Sequence, residues 1–326
     1  MSETIEGAEI QKKKPSFERI RFDLRPAKSV QRKMMCEAFH RLSAFERVDR
    51  YRYVGMGSTY FSDFSLFHRS LGIIDMISIE REVQKKTRFR FNCPYKCVQV
   101  EFGESTSVLS NLTWETPTIL WLDYDGKLTR EILSDVKHAC AKVRSGSVVT
   151  VTVNAQPAGG LKARLEQLRK RVGPDKIPID VVSKTLKGWG LARVCRRILV
   201  NEIDETLKDR NIGEADADKM TFRQIFNFQY QGSARMLTVG GIVYAQSEAG
   251  RMKKCAFDQV PFIRDGAEPC RIEVPCLTYR EIRLLDKLLP RDNPEGFRGP
   301  RWLPSVDVKR YARIYRYFPT FAETDL

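Results

Sequence analysis

The chain of 326 residues predicts an α/β fold: a mostly parallel sheet ending in an antiparallel hairpin, with helices on both faces and a small C-terminal helical extension. Three observations carry that prediction. Short apolar runs alternate with helical periodicity from Tyr51 to Val153, the pattern of parallel strands joined by crossover helices. The runs at 118–122 and 147–153 are almost wholly apolar or β-branched, as strands covered on both faces should be. Finally, the runs at 225–230 and 237–245 are joined by Gln231-Gly-Ser-Ala-Arg235, a polar turn of hairpin length.

The elements follow in order. Residues 1–14 hold Glu3, Glu6, Glu9 and Lys12-Lys-Lys14, too polar to bury a core, and are expected to be a disordered tail. From Ser29, the residues Val30, Met34, Met35, Ala38, Phe39, Leu42 and Phe45 recur at helical spacing. Strands are then expected over 51–55, 73–79 and 97–102, separated by helices over about 62–70 and 83–91. A helix over 131–143, stopped at Ser145-Gly146, joins the strands at 118–122 and 147–153. The segment 157–215 carries charged helical stretches at 161–171 and 192–208 and reads as an insertion or crossover within a domain covering 15–250. In the extension, 251–326, Thr278-x-x-Glu281 is a capping box, Pro290 ends that helix, and a last helix over 306–318 stops at Pro319.

Composition narrows the class. With 42% hydrophobic residues the chain can bury a large core. Fifty-six Lys and Arg against 41 Asp and Glu leave a net charge of +15, a field that favours a polyanionic partner such as RNA or DNA. The eight cysteines are scattered, without a Cys-x2-Cys pair or a companion histidine pair, so they read as small hydrophobes in a reducing, cytoplasmic compartment, and no structural metal is expected. No apolar run approaches the ~20 residues that span a bilayer. The histidines His40, His68 and His138 fall within expected helices with no acid and nucleophile patterned around them.

Two motifs carry chemistry. After the first strand stands Gly55-Met-Gly57-Ser58, and 22 residues later Glu80 ends the second strand. A glycine turn lets backbone approach a ligand, and an acid there accepts ribose hydroxyls. At the end of the fourth strand, Asp123-Tyr124-Asp125-Gly126-Lys127 sets two carboxylates and a lysine on the edge where open α/β sheets bind ligands.

On the strand order, the glycine turn, the acids after strands two and four and the terminal hairpin, residues 45–250 resemble the Rossmann-like class I S-adenosylmethionine-dependent methyltransferases. The resemblance implies S-adenosyl-L-methionine as cofactor, with Gly55, Gly57 and Ser58 at its methionine part, Glu80 on the ribose and Glu101 or Phe102 at the adenine. The turn departs from the usual pattern, since Ser58-Thr-Tyr60-Phe61 follows where a third glycine commonly stands. A nicotinamide cofactor is the nearest alternative, but Tyr60 and Phe61 crowd the approach a pyrophosphate would need, and the turn has no basic residue. The fourth-strand segment resembles catechol-type O-methyltransferases, in which an Asp-Asn pair after strand five completes a magnesium site. Here Asn154 matches and Val153 replaces the acid.

Asp123 is therefore the expected base or orienter for methyl transfer to oxygen, with Lys127 assisting and Asp125 beside it. Tyr124 and Asn154 stand at the same edge as candidate substrate contacts. Upstream, Arg19, Arg21, Arg25, Lys28, Arg32 and Lys33 form a basic group that would lie near the cofactor edge, with Lys28 and Arg32 meeting substrate. Near the C-terminus, Phe297-Arg298, Arg301-Trp302 and the run from Lys309 to Phe318 mix cations with aromatics, but Val308, Tyr311, Ile314, Tyr315 and Phe318 fall at helical spacing and are expected to pack on the body, which leaves the basic side as the candidate nucleic-acid contact. The rival reading is a catalytically degenerate subunit that keeps the sheet and binds nucleic acid or a protein partner.

Overall fold

A computed structural model describes residues 25–291 and 296–319. The expected tail at 1–14, together with Arg19 and Arg21, lies outside the described residues.

Eight strands form one sheet in the order β3-β2-β1-β4-β5-β7-β6-β8. Helix α1 (Pro26–His40) precedes β1 (Arg52–Gly55). Then come α2 (Ser62–Leu71), β2 (Asp75–Glu80), α3 (Lys86–Asn92), β3 (Val98–Phe102), α4 (Ser105–Asn111), β4 (Thr118–Asp123), α5 (Arg130–Lys142) and β5 (Ser147–Asn154). Strands β1 to β5 are mutually parallel, and their carboxyl ends share one edge. The chain first winds outward from β1 to β3 and then returns to the other side of β1 at β4. That reversal opens the crevice between β1 and β4 in which such sheets bind ligands.

Helices α6 (Leu161–Val172) and α7 (Gly190–Arg210) lead to the hairpin of β6 (Met220–Gln231) and β7 (Arg235–Ala245). Strand β7 lies antiparallel to β5 with Thr152 opposite Thr238. Helix α7 buries Val194, Cys195, Ile198 and Leu199 in the layer that also holds Leu133 and Val136 of α5, so it is the crossover helix into the hairpin. After residue 250 come α8 (Ala249–Lys254), the strand β8 (Cys270–Ile272), α9 (Tyr279–Asp286) and α10 (Ser305–Ile314). Strand β8 pairs parallel with β6. The segment expected to be only a helical extension thus also lengthens the sheet, by a three-residue strand too short to show a period.

Strand alternation sorts side chains onto the two faces. Tyr53, Met76, Ile119 and Trp121 pack with α1 and α2, whereas Val54, Ile77, Leu120 and Leu122 pack with α5 and α7. The α1 face also carries the polar positions Ser78, Glu80, Asp123, Thr152 and Thr238. This face builds the site.

Helix α1 starts at Pro26 rather than at the expected Ser29, because proline suits the first turn, where its missing N–H costs nothing. The earlier start places Lys28, Gln31, Arg32 and Met35 at i, i+3, i+4 and i+7, and all four are buried. A helix whose inward stripe carries two cations requires carboxylates across from it.

Candidate active site

The turn after β1 and the acid ending β2 are joined by one hydroxyl. The Gly57 amide donates to Ser78 Oγ at 3.1 Å, and Ser78 Oγ donates to Glu80 Oε1 at 3.0 Å. Glu80 also accepts the Ser58 backbone N–H. Strand pairing produces this arrangement, since Gly55 lies beside Ser78 in register and Glu80 ends the same strand two residues on. Glu80 is buried, and that desolvation pushes its carboxyl up to about 8 against the two hydrogen bonds that hold it down.

The two glycines serve close packing of aromatics. A Cβ on Gly57 would stand 2.6 Å from Phe61 Cδ1, and one on Gly55 would stand 2.5 Å from the Tyr53 hydroxyl. Ser58 (φ 51°) and Phe61 (φ 46°) both occupy left-handed backbone, a conformation that costs an ordinary residue about 1–2 kcal/mol. Such strain is held by surroundings that over-determine it, here the T-shaped stacking of Phe61 on Phe64 at 5.6 Å. The donor set fits an adenosine: a desolvated carboxyl tied to a turn that carries no basic residue.

At the carboxyl end of β4, Lys28 Nζ lies 2.6 Å from Asp123 Oδ1 and donates to the Tyr230 hydroxyl at 3.2 Å. The ammonium also sits 4.4 Å above the Trp121 ring. Beside it are Arg32 and Asp63, both buried, and Tyr53 donates its hydroxyl to Asp63 Oδ2. Burial lowers the Lys28 ammonium, with Asp123 opposing, and burial raises the Asp63 carboxyl, with Tyr53 and Arg32 opposing. Two cations facing two carboxylates make the cluster neutral, which limits the several kcal/mol that each buried ion would otherwise cost. Only Asp123 reaches water, its side chain 24% exposed against 6% for Lys28. Underneath, Gln31 Nε2 donates to Thr238 Oγ1 at 2.5 Å, and Trp121 Nε1 donates to Thr152 Oγ1 at 3.0 Å, fixing helix and strand in place.

Other expected residues are placed elsewhere. Lys127 does not reach Asp123: its ammonium donates to the Gln156 carbonyl and lies near Arg171 and Cys195, because the turn after β4 carries it to the α6 and α7 layer. Tyr124 donates to Asp135 at 2.5 Å, with the Ser105 hydroxyl 3.2 Å away, which braces the end of β4 against α4 and α5. Asn154 Oδ1 accepts the Gln156 N–H at 2.9 Å, closing a turn, and Asp125 is exposed. Glu101 is exposed on the edge strand β3. Phe102, the register partner of Glu80, is flanked by Lys86 and Arg90 at 5.3 and 5.8 Å. Lys28 and Arg32, expected to meet substrate, are buried, and the Lys28 ammonium is already held by Asp123. Among the described residues no group of three or more His, Cys, Asp or Glu is placed to hold a metal ion.

Tyr53, Asp63 and Tyr230 were not legible as site residues. Asp63 carried a signal: an acid within Tyr60-Phe-Ser-Asp63-Phe-Ser-Leu-Phe67 sits on an aromatic helix face, where burial demands a cation.

This sheet order, with an antiparallel seventh strand inserted beside the fifth and a polar crevice at the β1–β4 reversal, defines a Rossmann-like class I methyltransferase fold. The chain belongs to the family described as "Putative O-methyltransferase", whose profile matches residues 20–326. No curated protein sequence matches it. Solved structures of similar fold include precorrin-6y C5,15-methyltransferase from Geobacter metallireducens, at 10% identity over 62% of this chain and 84% of that one, with a TM-score of 0.33. Trm1 from Pyrococcus horikoshii with S-adenosyl-L-methionine matches at 10% identity over 75% and 64% of the two chains, TM-score 0.43. An O-methyltransferase family protein from Burkholderia thailandensis matches at 9% identity over 64% and 55%, TM-score 0.32. No described helix is long and apolar enough to cross a membrane.

Proposed function

We propose that the protein is an S-adenosyl-L-methionine-dependent methyltransferase that acts on an oxygen of an anionic or nucleic-acid substrate. The family and the class of fold support the cofactor. One observation supports the site above all others: the Lys28–Asp123 pair ends β4 at the sheet reversal, beside the turn that is hydrogen-bonded through Ser78 to Glu80. When bound, the cofactor supplies an electrophilic methyl group on a sulfonium.

The chain's own residues do the rest. Glu80 holds the ribose hydroxyls, and Ser78 ties that carboxyl to the Gly57 turn. Lys28 fixes the Asp123 carboxylate through one oxygen, leaving the water-facing part of that side chain to orient the acceptor hydroxyl and take its proton as the new O–C bond forms. Trp121 and Tyr230 wall the ammonium away from solvent, which strengthens its hold on Asp123. The net charge of +15 supports an anionic substrate.

Calorimetric titration with S-adenosyl-L-methionine tests the reading. Binding that Glu80→Ala weakens and Asp123→Asn leaves intact, while Asp123→Asn loses turnover, is the expected outcome. No heat at millimolar cofactor would sink it. That result would favour a second reading, a degenerate subunit that binds nucleic acid or a protein partner, which is supported by Tyr53 filling the space over Gly55 and by Lys28 occupying Asp123.

A further inference from the structure

The C-terminal segment has a small core of its own, with Leu285, Phe297, Leu303, Val308, Tyr311 and Ala312 buried together. Tyr311 donates to Asp286 at 2.6 Å and joins α10 to α9. Gly299 brings the preceding loop down onto α10, where an added Cβ would stand 2.9 Å from Val308 Cγ2. Between this loop and the helix is a cavity of about 450 Å³ lined by Arg298, Arg301, Ser305 and Lys309. That volume falls within the ~300–1,000 Å³ typical of ligand sites.

The nearby acids Asp307 and Glu273 are both taken up by Arg310, at 3.6 and 3.3 Å, and among the described residues no carboxylate pairs with Arg298, Arg301 or Lys309. Three cations that line one hollow, none paired with a described carboxylate, favour an anion with several oxygens. Between two of the lining residues, Arg301 and Leu303, stands Trp302 with 66% of its surface exposed. An exposed indole carried between two residues that line a cationic hollow supplies the pairing that single strands use, phosphate in the groove and base on a ring.

We propose that this C-terminal unit docks a single-stranded polynucleotide, its phosphate held by Arg298, Arg301 and Lys309 and a neighbouring base stacked on Trp302. The inference rests on the anionic-substrate part of the proposed function and gives that substrate its class. It does not require cofactor, Glu80 or Asp123.

The test is fluorescence anisotropy of the full chain with labelled oligouridylate, oligothymidylate and a duplex, without cofactor, over a salt series. The three side chains and the indole lie at the surface or half-buried, and far-UV circular dichroism with urea midpoints confirms that each variant is folded. Arg298→Ala/Arg301→Ala/Lys309→Ala should lower the slope of log affinity against log salt by about 0.7, the share of one phosphate contact on a single strand. Trp302→Ala should weaken single-strand binding about fivefold or more and leave duplex binding unchanged. The two oligonucleotides distinguish an RNA from a DNA strand. Failure of the native chain to bind either one, an unchanged slope in the triple variant, or binding only to phosphatidylserine vesicles would overturn the inference. Cofactor binding and methyl transfer to a small acceptor would stand regardless of those results.

Discussion

Lys28 in the first turn of α1 and Asp123 at the end of β4 are 95 residues apart in sequence and 2.6 Å apart in space. The contact clamps the amino-terminal helix across the carboxyl edge of the sheet. Removing one partner of a buried pair leaves an uncompensated charge, which costs about 3–5 kcal/mol when both are fully buried. Asp123 is partly exposed, so Asp123→Ala should cost the lower end, about 3 kcal/mol. In Lys28→Met/Asp123→Ala the second change should cost far less than it does alone. Urea denaturation of the four proteins of this cycle measures it, and simple additivity would show that the pair is not coupled.

Glu80 gives the protein a pH signature. Its folded carboxyl sits at about 8 against an ordinary 4.5, so the folded state holds this proton more tightly than the unfolded state does. The stability it contributes is complete below about pH 4.5 and is lost as pH rises toward 8, at no more than about 1.4 kcal/mol per pH unit. Glu80→Gln removes this loss. Urea midpoints of the two proteins should therefore diverge between pH 5 and 8, with the native protein falling relative to the variant, and parallel curves would contradict the assignment.

The same carboxyl couples to the cofactor. If Glu80 takes the ribose hydroxyls in its ionised form, as proposed, affinity should rise with pH toward and through about 8 and binding should release a proton. Titrations in buffers of different ionisation enthalpy measure that proton. In Glu80→Gln both the release and the pH dependence should vanish.

The sheet was legible because its strands obey simple periods. The parallel strands and the hairpin show themselves as apolar or β-branched runs, and the turn glycines and Glu80 fall where such a sheet puts its ligand edge. The partners around Asp123 were not legible, because they come from elements distant in sequence. Lys28 and Arg32 read as cations facing a substrate until Asp63 and Asp123 stand across from them, and Tyr230 looks like an ordinary strand aromatic. Lys127 lies away from Asp123 for the opposite reason. Nearness to Asp123 in sequence says little about direction within a turn, and its ammonium goes to the Gln156 carbonyl on the far layer.

Gly57 leaves no room for a side chain. In Gly57→Ala the Cβ would meet Phe61 at 2.6 Å and Ser78 Oγ at 3.0 Å, and Phe61, buried and in left-handed backbone, has little freedom to yield. Overpacking of this kind costs about 1–3 kcal/mol, and it also displaces the hydroxyl that joins the turn to Glu80. The variant should melt lower and bind cofactor more weakly, whereas Gly126→Ala, with nothing within 4 Å of its Cβ, should do neither. Thermal shifts with and without cofactor separate the two.

Lys127 provides the complementary test of where the chemistry lies. Its ammonium is committed to the Gln156 carbonyl beside Arg171 and Cys195, away from the Lys28–Asp123 pair. Lys127→Met should leave turnover within about twofold, while Asp123→Asn should lower it by about 10²-fold or more, the share that a positioned base contributes. Single-turnover assays at saturating cofactor compare the two. An equal loss in both would return Lys127 to the reacting centre and require the turn after β4 to rearrange when substrate binds.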